Sequence, residues 1–369
     1  MSALGSAVLA VAGFAYLAQV RPSLPRDTIL HDPVVIAGPG LVGQPRWSPD
    51  GSQIAYVEFR RNIRPRRDGD EIGPSGYNAY LRLADAGGRH SRVLCALPED
   101  PFLFVGRQFA WRREGTSVLF AADWSSAKHN GKPRGALEVV DVDTRTGRQR
   151  NIAAIPYDCR QRGAVLLDTV VCTSPDGLQL AIALRRKTRS GCRYDIGLLD
   201  YATGSVAPIS PFREADGREV WPLYGLSWKS DRIYFVSSSL RPSVPSLGGT
   251  LMPREQIWSV NTRSGQLHRE TAGLEDRFPA PHPRDESLAF VRKGSLCLRR
   301  VDGHVVALVP GGYGPGQGYC EGPVSWSPDG TRLAFTWTGP GALSAPTIWV
   351  ASVDTNPDRV SCRGAEANS

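Results

Sequence analysis

The sequence predicts an all-β chain: a six-bladed β-propeller of four-stranded antiparallel blades, with its ring closed by an N-terminal strand in the last blade. Three observations carry this reading. The phrase WSPDG occurs at Trp47 to Gly51 and again at Trp326 to Gly330, followed each time by an apolar run, QIAYVEF from Gln53 and RLAFTW from Arg332. Four looser copies lie between them: AWRREGTSVLFAA from Ala110, CTSPDGLQLAIAL from Cys172, SWKSDRIYFVSS from Ser227 and PHPRDESLAFVRK from Pro281. They recur at roughly 45 to 65 residues, the range of a propeller blade with loop insertions.

Taken in order, residues 1–27 read as a signal peptide or N-terminal membrane anchor with a short linker. From Ala3 to Val20 the chain is uncharged and mostly apolar, and the first charge is Arg21, the pattern of an export signal or a single tether. Arg21 and Arg26 on the far side keep a cytoplasmic propeller open under the positive-inside rule. The run TILHDPVVIAG, Thr28 to Gly38, stands before the first hairpin without a hairpin of its own. It is expected to supply the strand that the sixth copy lacks, since closing the ring removes an open sheet edge.

Each hairpin follows from its turn. Proline presets the first turn angle, aspartate bonds its own backbone, and glycine accepts the left-handed conformation that closes the turn. Third strands follow at AYLRLADA from Ala79, ALEVVDVD from Ala136, DIGLLDY from Asp195, QIWSVN from Gln256, SLCLRRVD from Ser295 and TIWVASVD from Thr347. Turns such as TRTG, ATG, TRSG or DG then lead to fourth strands. The propeller is expected over residues 28–354, with a flexible polar tail over 355–369. A chain of 369 residues that is 41% hydrophobic is ample for one core, and 39 Gly and 29 Pro suit many turns.

The hairpins resemble the repeats of TolB-like (WD40-like) β-propellers, which also form the non-catalytic domain of prolyl oligopeptidases and dipeptidyl peptidases. The resemblance covers residues 28–354, and two of the six copies match closely. It implies a propeller that binds or scaffolds other proteins in the bacterial envelope. The peptidases need a G-x-S-x-G elbow, and the nearest string, GLSWK from Gly225, ends in Lys229. Only the propeller is carried over.

Propeller geometry puts the connections between strands two and three, and those entering strand one, on a single top face. The first set is basic: Arg60, Arg61, Arg64, Arg66 and Arg67; Lys128, Lys132 and Arg134; Arg185, Arg186, Lys187, Arg189 and Arg193. The second set lies nearer the channel and leans acidic: Glu99, Asp100, Asp158, Glu214, Asp216, Glu219, Glu275, Asp276 and Glu321, against Arg160, Arg162, Arg213, Arg218 and Arg277. A basic outer crescent around an acidic mouth, in a chain of formal net charge +8, steers a protein partner or an anionic envelope component; the alternative is plain solvation. Nucleic acid is not expected, because aromatics are sparse among these cations.

The expected function is therefore a non-enzymatic binding or scaffolding module, exported, periplasmic or membrane-anchored. The alternative is a propeller enzyme, a hydrolase or lyase acting on a glycan or other polymer at the channel mouth. The six histidines are dispersed, so no nucleophile, base and orienter fall together by spacing. Neither cofactor nor metal is expected, because the cysteines match no zinc spacing and the carboxylates no calcium loop. Cys95, Cys172 and Cys297 sit at strand positions and read as buried free thiols, whereas Cys159 and Cys192 occupy top-face connections of the third blade and form a candidate disulfide. The long segment SSLRPSVPSLGGTLMPRE from Ser238 is either a lid or an inert insertion. Trp47, Trp111, Trp228 and Trp326 share one repeat position and read as packing between blades, as do Trp258 and Trp349. Trp124 and Trp221 remain binding candidates.

Overall fold

A computed structural model of the chain describes residues 23–61, 77–97, 109–123, 136–156, 171–188, 191–209, 220, 222–239, 254–273, 275–341 and 344–354. The segments 1–22 and 355–369, and most of the segment from Ser238, lie outside them. β1 (His31–Ala37) precedes the first blade, which is β2 (Val42–Trp47), β3 (Gln53–Arg61), β4 (Tyr77–Asp85) and β5 (Ser91–Ala96). Blade two is β6 (Phe109–Trp111), β7 (Ser117–Asp123), β8 (Ala136–Asp143) and β9 (Gln149–Pro156). Blade three is β10 (Val171–Thr173), β11 (Gln179–Thr188), β12 (Gly191–Asp200) and β13 (Val206–Ile209). Blade four is β14 (Pro222–Lys229), β15 (Arg232–Ser239), β16 (Arg254–Asn261) and β17 (Leu267–Arg269). Blade five is β18 (Asp276–Pro281), β19 (Leu288–Arg292), β20 (Ser295–Arg299) and β21 (Val305–Val309). In blade six the inner position is split between β22 (Tyr319–Cys320) and β23 (Ser325–Trp326), followed by β24 (Arg332–Thr338) and β25 (Pro346–Ser352). Among the described residues there is no helix.

Each blade is an antiparallel meander, and the sixth takes β1 as its outer strand, in the order β1-β25-β24-β22. Val34 lies opposite Val350 and Val35 opposite Trp349. The expected closing strand is thus the observed one.

Both faces of each sheet are buried, which is why the strand sequences run apolar without strict alternation. Along β24, Leu333, Phe335 and Trp337 pack toward blade five with Val291 and Leu296, while Ala334 packs toward blade one with Ile54 and Tyr56. One apolar cluster fills each of the six interfaces between adjacent blades. The core is a ring of six seams.

The recurrent turn is held by a device beyond the proline and glycine. Ser48 Oγ donates to Asp50 Oδ1 at 2.6 Å and accepts the Gln53 N–H at 2.9 Å, while Asp50 Oδ1 also accepts the Ser52 N–H at 3.0 Å. Ser174 with Asp176 and Ser327 with Asp329 repeat the arrangement. The serine hydroxyl is the first cause holding all three carboxyls below the usual range, with Asp329 at about 2. In blade five His282 takes the serine position and Nε2 lies 3.0 Å from the Gly330 carbonyl of blade six. Gly330 turns at φ 69°, and a Cβ there would meet His282 Nε2 at 2.3 Å, so both backbone angle and space require glycine.

Two of the repeated tryptophans latch neighbouring blades through their indoles. Trp111 Nε1 donates to the Arg46 carbonyl across the seam between blades one and two at 3.1 Å, and Trp326 Nε1 to the Ala280 carbonyl between blades five and six at 3.0 Å. His282 stacks edge-on against Trp326 at 4.7 Å. Trp228 departs from the pattern, donating to Ser230 within its own turn. The ring itself is joined where the Trp47 N–H donates to Ser325 Oγ at 3.1 Å.

Cys95, Cys172, Cys297 and Cys320 are free and buried. Burial pushes their thiols up, Cys297 to about 11 and Cys95 and Cys172 to about 12, which keeps them protonated and unreactive at neutral pH. Cys159 lies outside the described residues, and for Cys192 only the backbone is described.

Two outcomes follow for stability. Phe335→Ala should cost about 3–5 kcal/mol, read as a shift in the urea midpoint. Ser327→Ala should cost about 1 kcal/mol at neutral pH. The Asp329 carboxyl is depressed in the folded state, so its contribution is complete above the ordinary carboxylate value and fades as pH falls toward about 2. Midpoints measured across that window should converge for the parent and Ser327→Ala.

Candidate functional site

The ring has two ends. The top face carries the connections between second and third strands and between blades; the opposite face carries the WSPDG-type turns. Of the basic crescent, Arg60 is placed with its side chain, at the end of β3. It pairs with Glu58 at 2.9 Å, an acid that also takes Arg82 at 2.7 Å, and it lies over the Tyr80 ring at 5.2 Å. Arg61 is the last residue of β3. Arg185, Arg186 and Lys187 do not sit in a loop as the sequence reading has it. They belong to β11, opposite Tyr194, Arg193 and Cys192. The reason is strand length: β12 begins at Gly191 rather than near Asp195, so the hairpin ladder runs on to Thr188 opposite Gly191. Arg64, Arg66, Arg67, Trp124, Lys128, Lys132, Arg134 and Arg189 lie outside the described residues, as do Asp158, Glu214, Asp216, Glu219 and Trp221 of the top-face connections.

Three predicted mouth residues are placed. Asp276 is fully buried, and Arg292 grips its carboxylate through Nε at 2.6 Å and Nη2 at 3.0 Å. These two face each other in the β18–β19 ladder, so this pair sutures the blade rather than presenting charge. Glu275 and Glu321 stand free of that lock. Glu275 holds a left-handed φ of 61°, an uncommon conformation for a residue with a side chain. Glu321 is exposed, and partial desolvation by the surrounding protein pushes its carboxyl up.

Arg277 of the same connections joins them, with Glu255, Tyr313 and Tyr319, which the sequence reading passed over, completing the cluster. Glu255 of β16 pairs with Arg277 of β18. Tyr313, 54% exposed, leans on Tyr319 with ring centres 5.3 Å apart. Burial raises the Tyr313 hydroxyl, and the charges acting on it are those of Arg277, Glu275, Glu321 and Glu255. Blades four, five and six thus converge on two tyrosines, three carboxylates and one guanidinium. Nothing in linear spacing joins Glu255 to Glu321; the seams between blades do. Among the described residues no group of His, Cys, Asp and Glu is arranged to hold a metal, and no helix is long and apolar enough to cross a membrane.

At the other end the axial channel widens into a cavity of about 500 Å³, lined by inner strands and turns of all six blades. The residue just before the tryptophan position of each repeat faces this cavity: Arg46, Ala110, Cys172, Ser227, Ala280 and Ser325. Five are small and one is arginine. Aligning the copies shows this contrast in the sequence, although attention to the turn phrase itself hides it.

No family model matches this chain, nor does any curated protein sequence. Among solved structures, TolB from Acinetobacter baumannii is 15% identical with a TM-score of 0.50, over 83% of this chain and 65% of that one. The fold is similar to that of the TolB propeller. The chain therefore spans somewhat less than two thirds of that TolB. Oligogalacturonate lyase in complex with manganese is 13% identical with a TM-score of 0.49, over 90% of this chain and 95% of that one. A putative TolB from Agrobacterium tumefaciens is 18% identical with a TM-score of 0.45, over 87% and 97%. At these identities the likeness concerns architecture alone.

The two carboxylates should respond oppositely to neutralisation. Asp276→Ala leaves Arg292 without its partner and should cost about 3–5 kcal/mol, seen in the denaturant midpoint. Glu321→Gln should raise Tm at pH 7. Its carboxyl is elevated in the fold, so ionisation costs stability above that raised value, and the variant's gain should shrink as pH falls through it.

Proposed function

We propose that this chain is a non-enzymatic binding or scaffolding propeller whose top face receives a protein partner. The observation that supports this best is the mouth cluster: a tilted pair of tyrosines, Tyr313 exposed and Tyr319 half-buried, ringed by Glu255, Glu275 and Glu321 with Arg277 among them. Tyrosine offers apolar area with a polar tip at low entropic cost, and arginine and tyrosine are favoured at interface centres. The carboxylates add selectivity for a segment that presents cations toward the axis. The sequence places a basic crescent farther out, which meets an acidic surface or an anionic envelope component there. Such a pattern of opposite signs fixes orientation better than one sign alone.

The setting proposed is the cell envelope, with residues 3–20 as export signal or tether. Its support is the uncharged apolar run from Ala3 to Val20 and the similarity of the fold to TolB.

Site-specific photocrosslinking in the native host tests the reading. A benzophenone side chain at Tyr313 should capture a discrete protein adduct, whereas one at Val301, 65% exposed in a turn on the opposite face, should not. Glu275→Lys with Glu321→Lys should reduce the Tyr313 adduct at least tenfold. Equal adducts from both positions, or none from Tyr313, would remove the top face as the docking surface.

A further inference from the structure

Arg46 is a cation without a counter-charge inside the channel. The one hydrogen bond described for its guanidinium is donated from Nη1 to the Val324 carbonyl at 3.2 Å, and among the described residues it has no ion pair. The surrounding protein is dense enough that desolvation lowers the guanidinium to about 10, and the Cys172 thiol, two blades around the ring, lies close enough to act on it. The other two cations on the cavity wall are already engaged. Lys229 pairs with Glu286 at 3.0 Å, and Arg113 is exposed, donates to the Asp176 carbonyl and acts on the Asp176 carboxylate. Among the described residues no carboxylate lines this cavity.

Arg46 is half-buried and faces the cavity, and a partly desolvated charge is stabilised by a partner of opposite sign. The repeat offers no structural reason for one here, since Ala110, Cys172, Ser227, Ala280 and Ser325 build the same ring position without charge. The remaining wall decides what the anion is attached to. It combines the indoles of Trp47, Trp111, Trp228 and Trp326 and several prolines with uncharged serine and threonine hydroxyls, a surface that accepts a largely apolar, uncharged body. A multiply charged phosphate demands several cations or a nest of N–H groups, whereas one planar fork suits one carboxylate. The volume of about 500 Å³ falls within the range for small-molecule sites.

We infer that the turn-side end of the channel is a binding site for a small organic monocarboxylate, with Arg46 gripping the carboxylate and the tryptophan-lined wall taking an apolar body. This site is separate from the top-face cluster and does not depend on the partner proposed there.

Calorimetric titration of the full-length chain with phenylacetate, phenylacetamide and inorganic phosphate tests it, with indole fluorescence as a second readout because Trp47, Trp111, Trp228 and Trp326 line the cavity. Phenylacetate should bind one per chain, at least tenfold tighter than the isosteric amide and than phosphate. Arg46→Met, which keeps the stem and removes the charge, should abolish the difference between acid and amide. If phenylacetate does not bind, if the amide binds equally, if phosphate binds more tightly, or if a folded Arg46→Met variant retains the preference, the inference is wrong. The acid and amide comparison on the unaltered chain decides the matter even where Arg46→Met does not fold.

Discussion

Every sheet in this protein is sandwiched between two others, and that two-sided burial organises everything else. A lone four-stranded meander would leave one apolar face in water. Here Ala55 and Val57 meet blade two while Ile54 and Tyr56 meet blade six, so a single strand serves two seams. No blade is self-sufficient, because half of its core belongs to each neighbour. The same condition forces the inner strands to converge on an axis, which brings Arg46, Cys172 and Ser325 together from positions far apart in the chain.

Repeat architecture was readable in the sequence to the extent that one motif is stamped six times. Turn chemistry located the hairpins, and a count of strands showed that the sixth blade needed a strand from the other end, which Val34 and Val35 provide opposite Val350 and Trp349. Buried free thiols at Cys95, Cys172 and Cys297 followed from strand position. Less legible was where a ladder stops. Arg185 to Lys187 read as loop because polar residues signal solvent, yet backbone pairing does not depend on side-chain polarity and continues through them. The mouth was hidden for another reason: Glu255, Arg277 and Tyr313 are joined across blades, and only the angular order of the ring makes them neighbours. Asp276 shows the limit from the opposite side, since composition alone cannot distinguish an acid that faces a channel from one gripped by Arg292.

The two ends of the channel differ in chemistry although the same inner strands reach both. Carboxylates and tyrosines gather where blades four to six meet the top face, and a guanidinium with no ion pair among the described residues sits toward the turns. Each departs from the repeat in a different way. At the mouth the blade connections vary in length and content, as loops in a rigid scaffold do. At Arg46 the variation is a single residue in an otherwise small-residue ring, set in the most regular part of the fold. The first is tolerant of change, whereas the second is hemmed in by Trp111, whose indole bonds the Arg46 carbonyl itself.

His31 pairs with Ser352 in the seam of the last sheet, so the polypeptide enters and leaves the circle on adjacent strands. The start of the propeller is thus a matter of covalent bookkeeping and not of geometry. A short linker across this gap, with a fresh opening at a solvent-facing bend such as the one at Gly303, would preserve all six wedges in their angular order. Fusion partners could then be hung from any sector of the disc, with the axis left untouched.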